Sequence, residues 1–237
     1  MRHTAGSGWG HISSAARTGD FSEPLSPEER IELESLRTSS DYPPETTLFV
    51  EQQEPSKVLF LLTGQVKLSL NSSAGRRMIL GVACPGETLG LASAFSGSLY
   101  DVTAETVSPC RVASIASEDF LGFLRRHPSA YVNVARELCM ERARACEQVR
   151  RLGLAVTASA KLVWFLLDQC VVPPKMGDGT RLFCALTHGE IGECIGVCRE
   201  TVTRLFCDFR SRELLESRGS VLIVSDRRAL ETYAGVE

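Results

Sequence analysis

The sequence predicts an α+β fold in which a β-roll or jelly-roll barrel is followed by one long helix and a winged helix-turn-helix. Many short apolar runs, separated by turn residues between residues 47 and 116, predict the barrel. An amphipathic stretch at residues 129–153 predicts the long helix. Two short amphipathic segments joined by a glycine, in LTHGEIGECIGVCRETVTRLF (residues 186–206), predict the helix-turn-helix.

The composition is that of a globular protein. The chain has 237 residues, of which 43% are hydrophobic and 23% are charged, and its formal net charge is −3. Because the total charge is slightly acidic, a local basic patch would have to bind any polyanionic partner. No apolar run approaches the length of a membrane span. Residues 1–24 lack the apolar segment of a signal peptide, so we expect a disordered N-terminal extension and a cytoplasmic protein.

Residues 25–128 are expected to form the barrel, preceded by a short helix. Ser26 is suited to cap that helix, with Pro27 in its first turn. The predicted strands are the runs TLFVEQ, KVLFLLTG, QVKLSL, MILGVA and CRVASIA. In QVKLSL the apolar residues Val66, Leu68 and Leu70 alternate with polar ones, which is typical of a half-buried strand.

Residues 129–154 are predicted to form a dimerisation helix. Apolar residues recur with the spacing of a heptad over three repeats, and one arginine interrupts the seam. The residues expected at the subunit interface are Leu138, Arg142, Ala145, Val149 and Leu152. Alternatively, this stripe packs on the barrel of its own chain. The strict four-three spacing, with charged residues on both sides, favours a parallel pair of helices from two subunits.

Residues 155–237 are predicted to form a second domain around the helix-turn-helix. Thr187 is suited to cap the first of the two helices. Gly192 is small where the second helix would cross closely, and Gly196 supplies the left-handed residue of the turn. After the second helix, a two-stranded hairpin turned at Arg218-Gly219 would form a wing.

The second helix carries groups that are suited to reading DNA. An arginine can bond guanine O6 and N7 with both arms of its fork, and a glutamate can accept from the amino group of cytosine. The side chains expected to read bases are Arg199, Glu200, Thr203 and Arg204. Those expected to contact the phosphate backbone are Thr187, Thr201, Arg212 and Arg218. The alternative is a helical hairpin whose arginine-rich face is only solvated.

Residues 186–204, LTHGEIGECIGVCRETVTR, resemble the signature of the Crp–Fnr transcription regulators. The segments YPPETTLFVEQQEPSKVLFLLTGQVKL and CPGETLGLASAF resemble that family's barrel, and the order of elements is collinear with it over about residues 26–235. The resemblance implies a sensor barrel like a cyclic nucleotide-binding domain, and a homodimer that binds double-stranded DNA. The Arg-Glu pair resembles the cyclic-AMP receptor branch, which implies a palindrome with GTGA-like half-sites. RNA polymerase is expected as a partner by the same resemblance.

The barrel departs from the family where a cyclic nucleotide would bind. An Arg-Ser pair holds the phosphate in the cyclic-AMP receptor branch, and Tyr100-Asp101 stands in its place here. A carboxylate there would repel a phosphodiester, so we do not expect cyclic AMP to be the effector. The possible effector pocket comprises Gly86, Glu87, Leu89, Tyr100, Asp101 and Cys146.

No cofactor is firmly predicted, and the sequence does not identify the effector. Residues 1–83 contain no cysteine, so the N-terminal iron–sulfur cluster of the oxygen-sensing branch cannot be built in the same way. A haem with His127 or Cys84 as axial ligand stays open as an alternative. The expected signal is therefore one other than cyclic AMP.

The nine cysteines are scattered along the chain. An odd number without an export signal argues against a disulfide framework. Three of them surround the helix-turn-helix and are possible redox residues, namely Cys194, Cys198 and Cys207. Because the pKa of a thiol is lowered at a helix N-terminus, oxidation of Cys198 would be favoured and would weaken DNA binding. The alternatives are thiols packed in the core and, with a spacing that fits less well, a zinc site.

Two other classes of function compete with DNA binding. An enzyme or metal-dependent binding protein on a cupin-like barrel would need clustered histidines, and there is no histidine between residues 12 and 126. We therefore predict no catalytic residue and no metal ligand. The second alternative is a redox-sensing or cyclic-nucleotide-like barrel protein whose output is not DNA binding, and the arginines from Arg199 to Arg204 argue against it.

Overall fold

The computed structural model describes Phe21 and residues 25–154, 157–172, 180–219 and 221–235. These residues form an α+β fold with a strand-rich N-terminal domain, a long helix, and a C-terminal domain of helices around a small sheet. The predicted fold class is confirmed. Among the described helices, none has both the length and the apolar character that crossing a membrane requires.

The N-terminal domain opens with a capped helix. The hydroxyl of Ser26 accepts from the backbone N–H of Glu29 at 3.2 Å, and the Glu29 carboxylate accepts from the N–H of Ser26 at 2.7 Å. This reciprocal capping fixes where the helix begins. The helices and strands of the domain are α1 (Pro27–Leu36), β1 (Thr38–Tyr42), β2 (Thr47–Phe49), β3 (Lys57–Thr63), β4 (Val66–Asn71), β5 (Arg77–Ala83), β6 (Thr88–Leu89), α2 (Leu91–Ser96), β7 (Thr103–Thr106), β8 (Cys110–Ala116) and α3 (Ser117–Arg126).

The eight strands form two antiparallel sheets, ordered β1-β8-β3-β6 and β2-β7-β4-β5. Apolar side chains from both sheets fill the space between them, and the rings of Phe49 and Tyr100 stack there with centroids 4.1 Å apart. A second apolar cluster joins the first sheet to α2 and α3 through Phe60 and Phe120. The barrel is therefore closed by packed side chains on its inside and by helices at one side.

The expectation of a disordered extension over residues 1–24 does not hold at Phe21. Its side chain is only 2% exposed and packs against Phe60 and Phe120, with centroids 5.9 and 5.6 Å away. The side chain of Asn133 also donates to its carbonyl oxygen at 3.2 Å. Burial of a large aromatic ring anchors the chain at this point. The other residues of the predicted extension lie outside the described part of the chain.

A short 3-10 turn (Pro128–Ala130) leads into α4 (Tyr131–Leu154), which connects the two domains. The C-terminal domain then packs four helices and a small sheet around one apolar core. Its sheet has the strand order β11-β12-β10-β9. The elements are α5 (Ala158–Leu167), β9 (Cys170–Val172), β10 (Thr180–Phe183), α6 (His188–Ile195), α7 (Arg199–Ser211), β11 (Leu215–Arg218), β12 (Val221–Val224) and α8 (Arg227–Ala234).

The C-terminal domain docks on the outer face of the β2-β7-β4-β5 sheet. Ile79 of β5 is fully buried in the core of the C-terminal domain. Beside it, Lys67 of β4 pairs with Glu105 of β7 at 2.6 Å and with Glu190 of α6 at 2.7 Å. The half-buried character expected for β4 is therefore wrong, because α6 covers the face that the alternating pattern assigns to solvent.

Candidate nucleic-acid interface

Three local features shape the helix-turn-helix, which comprises α6, the turn and α7. The Thr187 hydroxyl accepts from the N–H of Glu190 at 3.3 Å, and the Glu190 carboxylate accepts from the N–H of Thr187 at 2.8 Å. Gly196 ends α6 in a left-handed conformation, with φ of 68°. Gly192 lies so close to the turn that a Cβ atom there would be 2.6 Å from the carbonyl oxygen of Val197. The roles predicted for Thr187, Gly192 and Gly196 are confirmed.

The outward face of α7 carries the residues predicted to read bases. Its inward face buries Val202, Phe206 and Phe209 in the domain core. The four predicted base-reading side chains are all exposed, namely Arg199, Glu200, Thr203 and Arg204. The first two of them occupy the first turn of α7, which is the part of a recognition helix that reaches base edges.

The N-terminus of α7 presents two opposite charges side by side. Hydrogen bonding to its own backbone N–H lowers the pKa of Glu200, so the carboxyl is ionised at neutral pH. Arg199 precedes it and is equally exposed. Cys198 is the N-cap residue, but its side chain makes no capping hydrogen bond, and its Sγ lies 3.2 Å from the Thr201 hydroxyl. A fork of donors and an ionised acceptor thus project from adjacent positions.

His188, which the sequence reasoning missed, supports the face of α7 from below. Its Nδ1 atom lies 2.9 Å from the Thr203 hydroxyl, which in turn donates to the carbonyl oxygen of Arg199 at 3.0 Å. The imidazole stacks on Phe206 with centroids 4.8 Å apart. Partial burial, and then the charges of Arg210 and Arg199, lower the pKa of His188, so the ring is neutral at pH 7. In the sequence, the position of His188 directly after the capping residue Thr187 indicates that it lies near the helix-turn-helix surface.

The predicted backbone-contact residues have different surroundings. The Thr187 and Thr201 hydroxyls are engaged in the contacts described above, and Thr187 is exposed. Arg212 pairs with Asp208 at 3.0 Å and lies over the ring of Tyr233 at 4.6 Å, which ties the end of α7 to α8. The side chain of Arg218 lies outside the described part of the chain, although its backbone belongs to β11 and Gly219 turns the predicted wing.

A further arginine, not singled out from the sequence, joins the wing to the recognition helix. Arg210 on α7 donates to the hydroxyl of Ser217 on β11 at 2.8 Å. Its guanidinium also lies 5.9 Å from the ring centroid of Phe206. The exposed side chain therefore adds positive charge between the helix and the hairpin.

The possible effector residues are divided between the barrel core and its surface. Leu89 and Tyr100 are buried among the side chains that fill the barrel. The Tyr100 hydroxyl donates to the carbonyl oxygen of Lys57 at 2.8 Å, so this residue serves the packing of the barrel. Asp101 and Cys146 are exposed. The structure does not bring the six residues together as the lining of one pocket.

Glu87 is the member of that set that faces the long helix. Gly86, with φ of 92°, turns the chain into Glu87, whose buried carboxylate pairs with Arg144 of α4 at 3.2 Å. Desolvation raises the pKa of Glu137 and of Glu141, and nearby carboxylates raise both further. Several carboxylates and one arginine therefore occupy the junction between the barrel and α4.

Two family profiles match the chain in the same order as its domains. The cyclic nucleotide-binding domain matches residues 40–127, and the Crp-like helix-turn-helix domain matches residues 160–233. The chain belongs to the Crp–Fnr family. It is a DNA-binding transcription regulator of this type, with a cyclic nucleotide-binding-like domain and a winged helix-turn-helix.

Similar proteins within the Crp–Fnr family span most of the chain. It is 28% identical over 193 residues to the transcriptional activatory protein AadR of Rhodopseudomonas palustris, which covers 81% of this chain and 79% of that protein. It is 24% identical over 188 residues to the cAMP-activated global transcriptional regulator CRP of Pasteurella multocida, covering 79% and 90%. The solved structure of FixK2 from Bradyrhizobium japonicum has the same fold, with a TM-score of 0.74, 21% identity and coverage of 83% and 96%.

In this Crp–Fnr protein, the exposed face of α4 is rotated from the predicted interface. Leu138 packs against the barrel core, and Leu152 lines a small cavity with residues of α5 and α6. Arg142, Ala145 and Val149 are exposed, and Val149 is 71% exposed. The predicted stripe therefore straddles two faces, of which one packs on its own chain as the alternative interpretation held.

The three possible redox cysteines also separate. Cys194 is buried, and desolvation raises its pKa far above the ordinary value, so this thiol is a core residue and not a ready nucleophile. Cys198 and Cys207 are exposed. Cys84 is disulfide-bonded, which the scattered cysteine pattern did not indicate. Within the described residues, no group of three or more ligands that could hold a metal ion is present.

Proposed function

We propose that this protein works as a homodimer that reads a palindrome with GTGA-like half-sites. The observation that carries the proposal is the outward face of α7, where Arg199, Glu200 and Arg204 are all exposed within the first two turns of the helix. A bidentate arginine contact to guanine and a glutamate contact to the cytosine amino group would select such a sequence. The positive charge is local, which is compatible with the net charge of −3.

The surface of α4 supports a dimer through helix pairing. Val149 and Leu154 are 71% and 72% exposed, and they lie near the end of α4 that approaches the DNA-binding domain. They are therefore available for contact with a partner helix. A parallel helix pair would place two copies of α7 on the same side of the dimer, which suits half-sites about 34–36 Å apart.

The junction of the barrel with α4 favours a signal other than cyclic AMP. Glu87 already pairs with Arg144, and Glu137, Glu141 and Asp101 add negative charge around that pair. A phosphodiester would be repelled there. Titration calorimetry with cyclic AMP should therefore give no binding in the micromolar range, and a micromolar dissociation constant would overturn this part of the proposal.

The docked domains offer a route by which the barrel could govern DNA reading. Lys67 of the barrel holds Glu190, the same carboxylate that caps α6. Arg77 pairs with Glu193, one turn further along α6, at 2.7 Å. A change in the position of β4 or β5 would thus act directly on the first helix of the helix-turn-helix. Signal transmission by this route would require a second arrangement of the same contacts.

The remaining parts of the proposal follow from the family. We expect the protein to act in the cytoplasm without catalysis, and to contact RNA polymerase when bound to DNA.

The experiment is a fluorescence-anisotropy titration of labelled duplexes with the full chain. Arg199→Ala should weaken binding to a GTGA palindrome by about tenfold or more, because each lost bidentate contact costs about 1–3 kcal/mol. Arg111→Ala is the matched control, since Arg111 is an exposed arginine on β8 of the barrel. Equal affinity of the parent for the palindrome and for a scrambled duplex would contradict the proposal.

A further inference from the structure

The free face of α4 carries two cysteines that are seven residues apart. Cys139 and Cys146 are both free thiols and both exposed. They share one column of the helix with Val132, which is 60% exposed. The opposite face of α4 packs on its own barrel through Val134 and Leu138. Both thiols therefore point away from their own chain, and the spacing of seven keeps them on one line.

This column lies at the centre of the unpartnered face. It is flanked on one side by Ala135, Arg142 and Val149, and on the other side by Arg136, Ala143 and Arg150. Together with the column of Cys139 and Cys146, either flank gives the alternating spacing of three and four residues that is typical of paired helices. The two thiols thus stay in the seam whichever flank contributes more to helix pairing.

The geometry of paired helices brings equivalent residues of this column together. Helix axes in such pairs lie roughly 8–10 Å apart, and the Cα atoms lie about 2.3 Å from each axis. Two facing Cα atoms are then about 3.4–5.4 Å apart, and the upper part of this range overlaps the range of about 4.4–6.8 Å found in disulfides. Valine and cysteine side chains are short, so the helices can approach closely along this column.

We propose that oxidation joins two copies of this chain through a Cys139–Cys139 and a Cys146–Cys146 disulfide across the α4 pair. This inference rests on the proposed homodimer. With hydrogen peroxide as oxidant, one thiolate attacks a peroxide oxygen and becomes a sulfenic acid, releasing one water after proton uptake. The facing thiol then attacks that sulfur, the S–S bond forms and a second water leaves. Each disulfide thus consumes two thiols and one peroxide and yields two waters.

Because the disulfides prevent the dimer from dissociating, dissociation no longer limits DNA binding. A non-covalent dimer separates on dilution, whereas a cross-linked one keeps both recognition helices at a fixed effective concentration. After oxidation, all of the cross-linked protein stays dimeric on dilution. The apparent affinity for the operator therefore no longer depends on protein concentration. The effect is opposite in sign to that expected for oxidation of Cys198, which lies at the DNA-binding surface.

The first experiment is non-reducing electrophoresis of the full chain after treatment with hydrogen peroxide. A band at the mass of two chains should form and should disappear with dithiothreitol. It should be lost in Cys139→Ser/Cys146→Ser and retained in the matched control Cys198→Ser/Cys207→Ser, which removes the exposed thiols of the recognition helix. A band that follows the opposite pattern would overturn the proposal.

Peptide mapping tests the register of the pairing. Arg142 and Arg144 lie between the two cysteines, so trypsin separates them onto different peptides. Parallel helices predict the two homotypic linkages only, because positions seven residues apart are about 10 Å apart along the axis. A Cys139–Cys146 linkage between chains would indicate antiparallel helices and would contradict the proposed arrangement.

Sedimentation of the reduced protein separates failure of this inference from failure of the dimer. A reduced dimer that forms no covalent band on oxidation would overturn the disulfide while leaving the proposed homodimer in place. A reduced monomer at micromolar concentration would overturn the homodimer and the inference together. The reduced double variant should sediment like the parent, since serine replaces two small exposed side chains.

Discussion

At the scale of single residues, the shape of the helix-turn-helix depends on a glycine, which has no Cβ atom. Because Gly192 has no Cβ, α6 can lie against the carbonyl oxygen of Val197, in the turn that precedes α7. Gly189 lies one turn earlier on the same helix, where an added Cβ would lie 3.8 Å from the Thr187 hydroxyl, an ordinary contact distance. The two glycines therefore offer a direct comparison of a required glycine with a replaceable one.

Gly192→Ala should destabilise the C-terminal domain by about 1–3 kcal/mol, the usual cost of overpacking a tight contact. Gly189→Ala should be neutral or stabilising by up to about 1 kcal/mol, since alanine lowers the entropy lost on forming a helix. Denaturant unfolding followed by circular dichroism measures both. Equal stability of the two variants would contradict the close approach at Gly192.

At the scale of helices and strands, the ion pair between Lys67 of β4 and Glu190 of α6 both stabilises the fold and positions α6. Lys67 has a side chain only 5% exposed, and it lies between the carboxylates of Glu105 and Glu190. The Lys67→Met variant should lose about 1–3 kcal/mol. This is less than the roughly 3–5 kcal/mol of a fully buried broken pair, because both carboxylates keep some contact with water. Lys57→Met, at an exposed lysine of β3, is the control.

The pH dependence of the same contact follows from its pKa values. Desolvation is the largest influence on Glu190, but hydrogen bonds from Lys67 and Thr187 outweigh it and lower its pKa below 4.5. A carboxyl with a depressed pKa in the folded state stabilises the fold above its unfolded pKa and loses that effect as the pH falls through the folded value. Between pH 7 and pH 3, the parent should therefore lose more stability than Glu190→Gln. An identical loss in both would contradict the contribution of this ion pair.

Elements with a strong local signal were predictable from the sequence, and those defined by tertiary contact were not. The N-terminal ends of α1 and α6 could be predicted because their capping residues are adjacent in the sequence. The burial of β3 could be predicted because the strand is a continuous apolar run. The strands β1 (TSSDY) and β7 (TAET) are polar, and they form because β8 and β4 pair with them. The sequence did not show that Leu138 of α4 packs on its own barrel, because neighbouring stripes of the helix share the heptad spacing and only the packed barrel distinguishes them.

The candidate site follows the same division. The exposed polar face of α7 could be predicted, because its members lie within two consecutive turns of one helix, namely Arg199, Glu200, Thr203 and Arg204. The role of His188 and the contact of Arg210 with the wing could not be predicted, since they arise from contacts with Thr203 and Ser217 that join separate elements. At the barrel, the sequence did not show that Tyr100 is a packing residue or that Glu87 pairs with Arg144.

At the scale of the whole molecule, the arrangement places a sensor-type barrel, a helix with one unpartnered face and a DNA-reading head in direct contact. Each chain presents one recognition helix, and a single helix of this kind contacts only a few base pairs. We infer that specific binding uses two copies on one duplex, and that pairing along α4 brings the two copies together.

The most direct test is sedimentation velocity of the reduced protein with a fluorescent duplex that carries two GTGA half-sites one helical turn apart. The account predicts one complex containing two chains per duplex, which weakens steeply as salt rises and is lost when the half-site spacing is changed by half a turn. Binding of a single chain with affinity that ignores the spacing would contradict it.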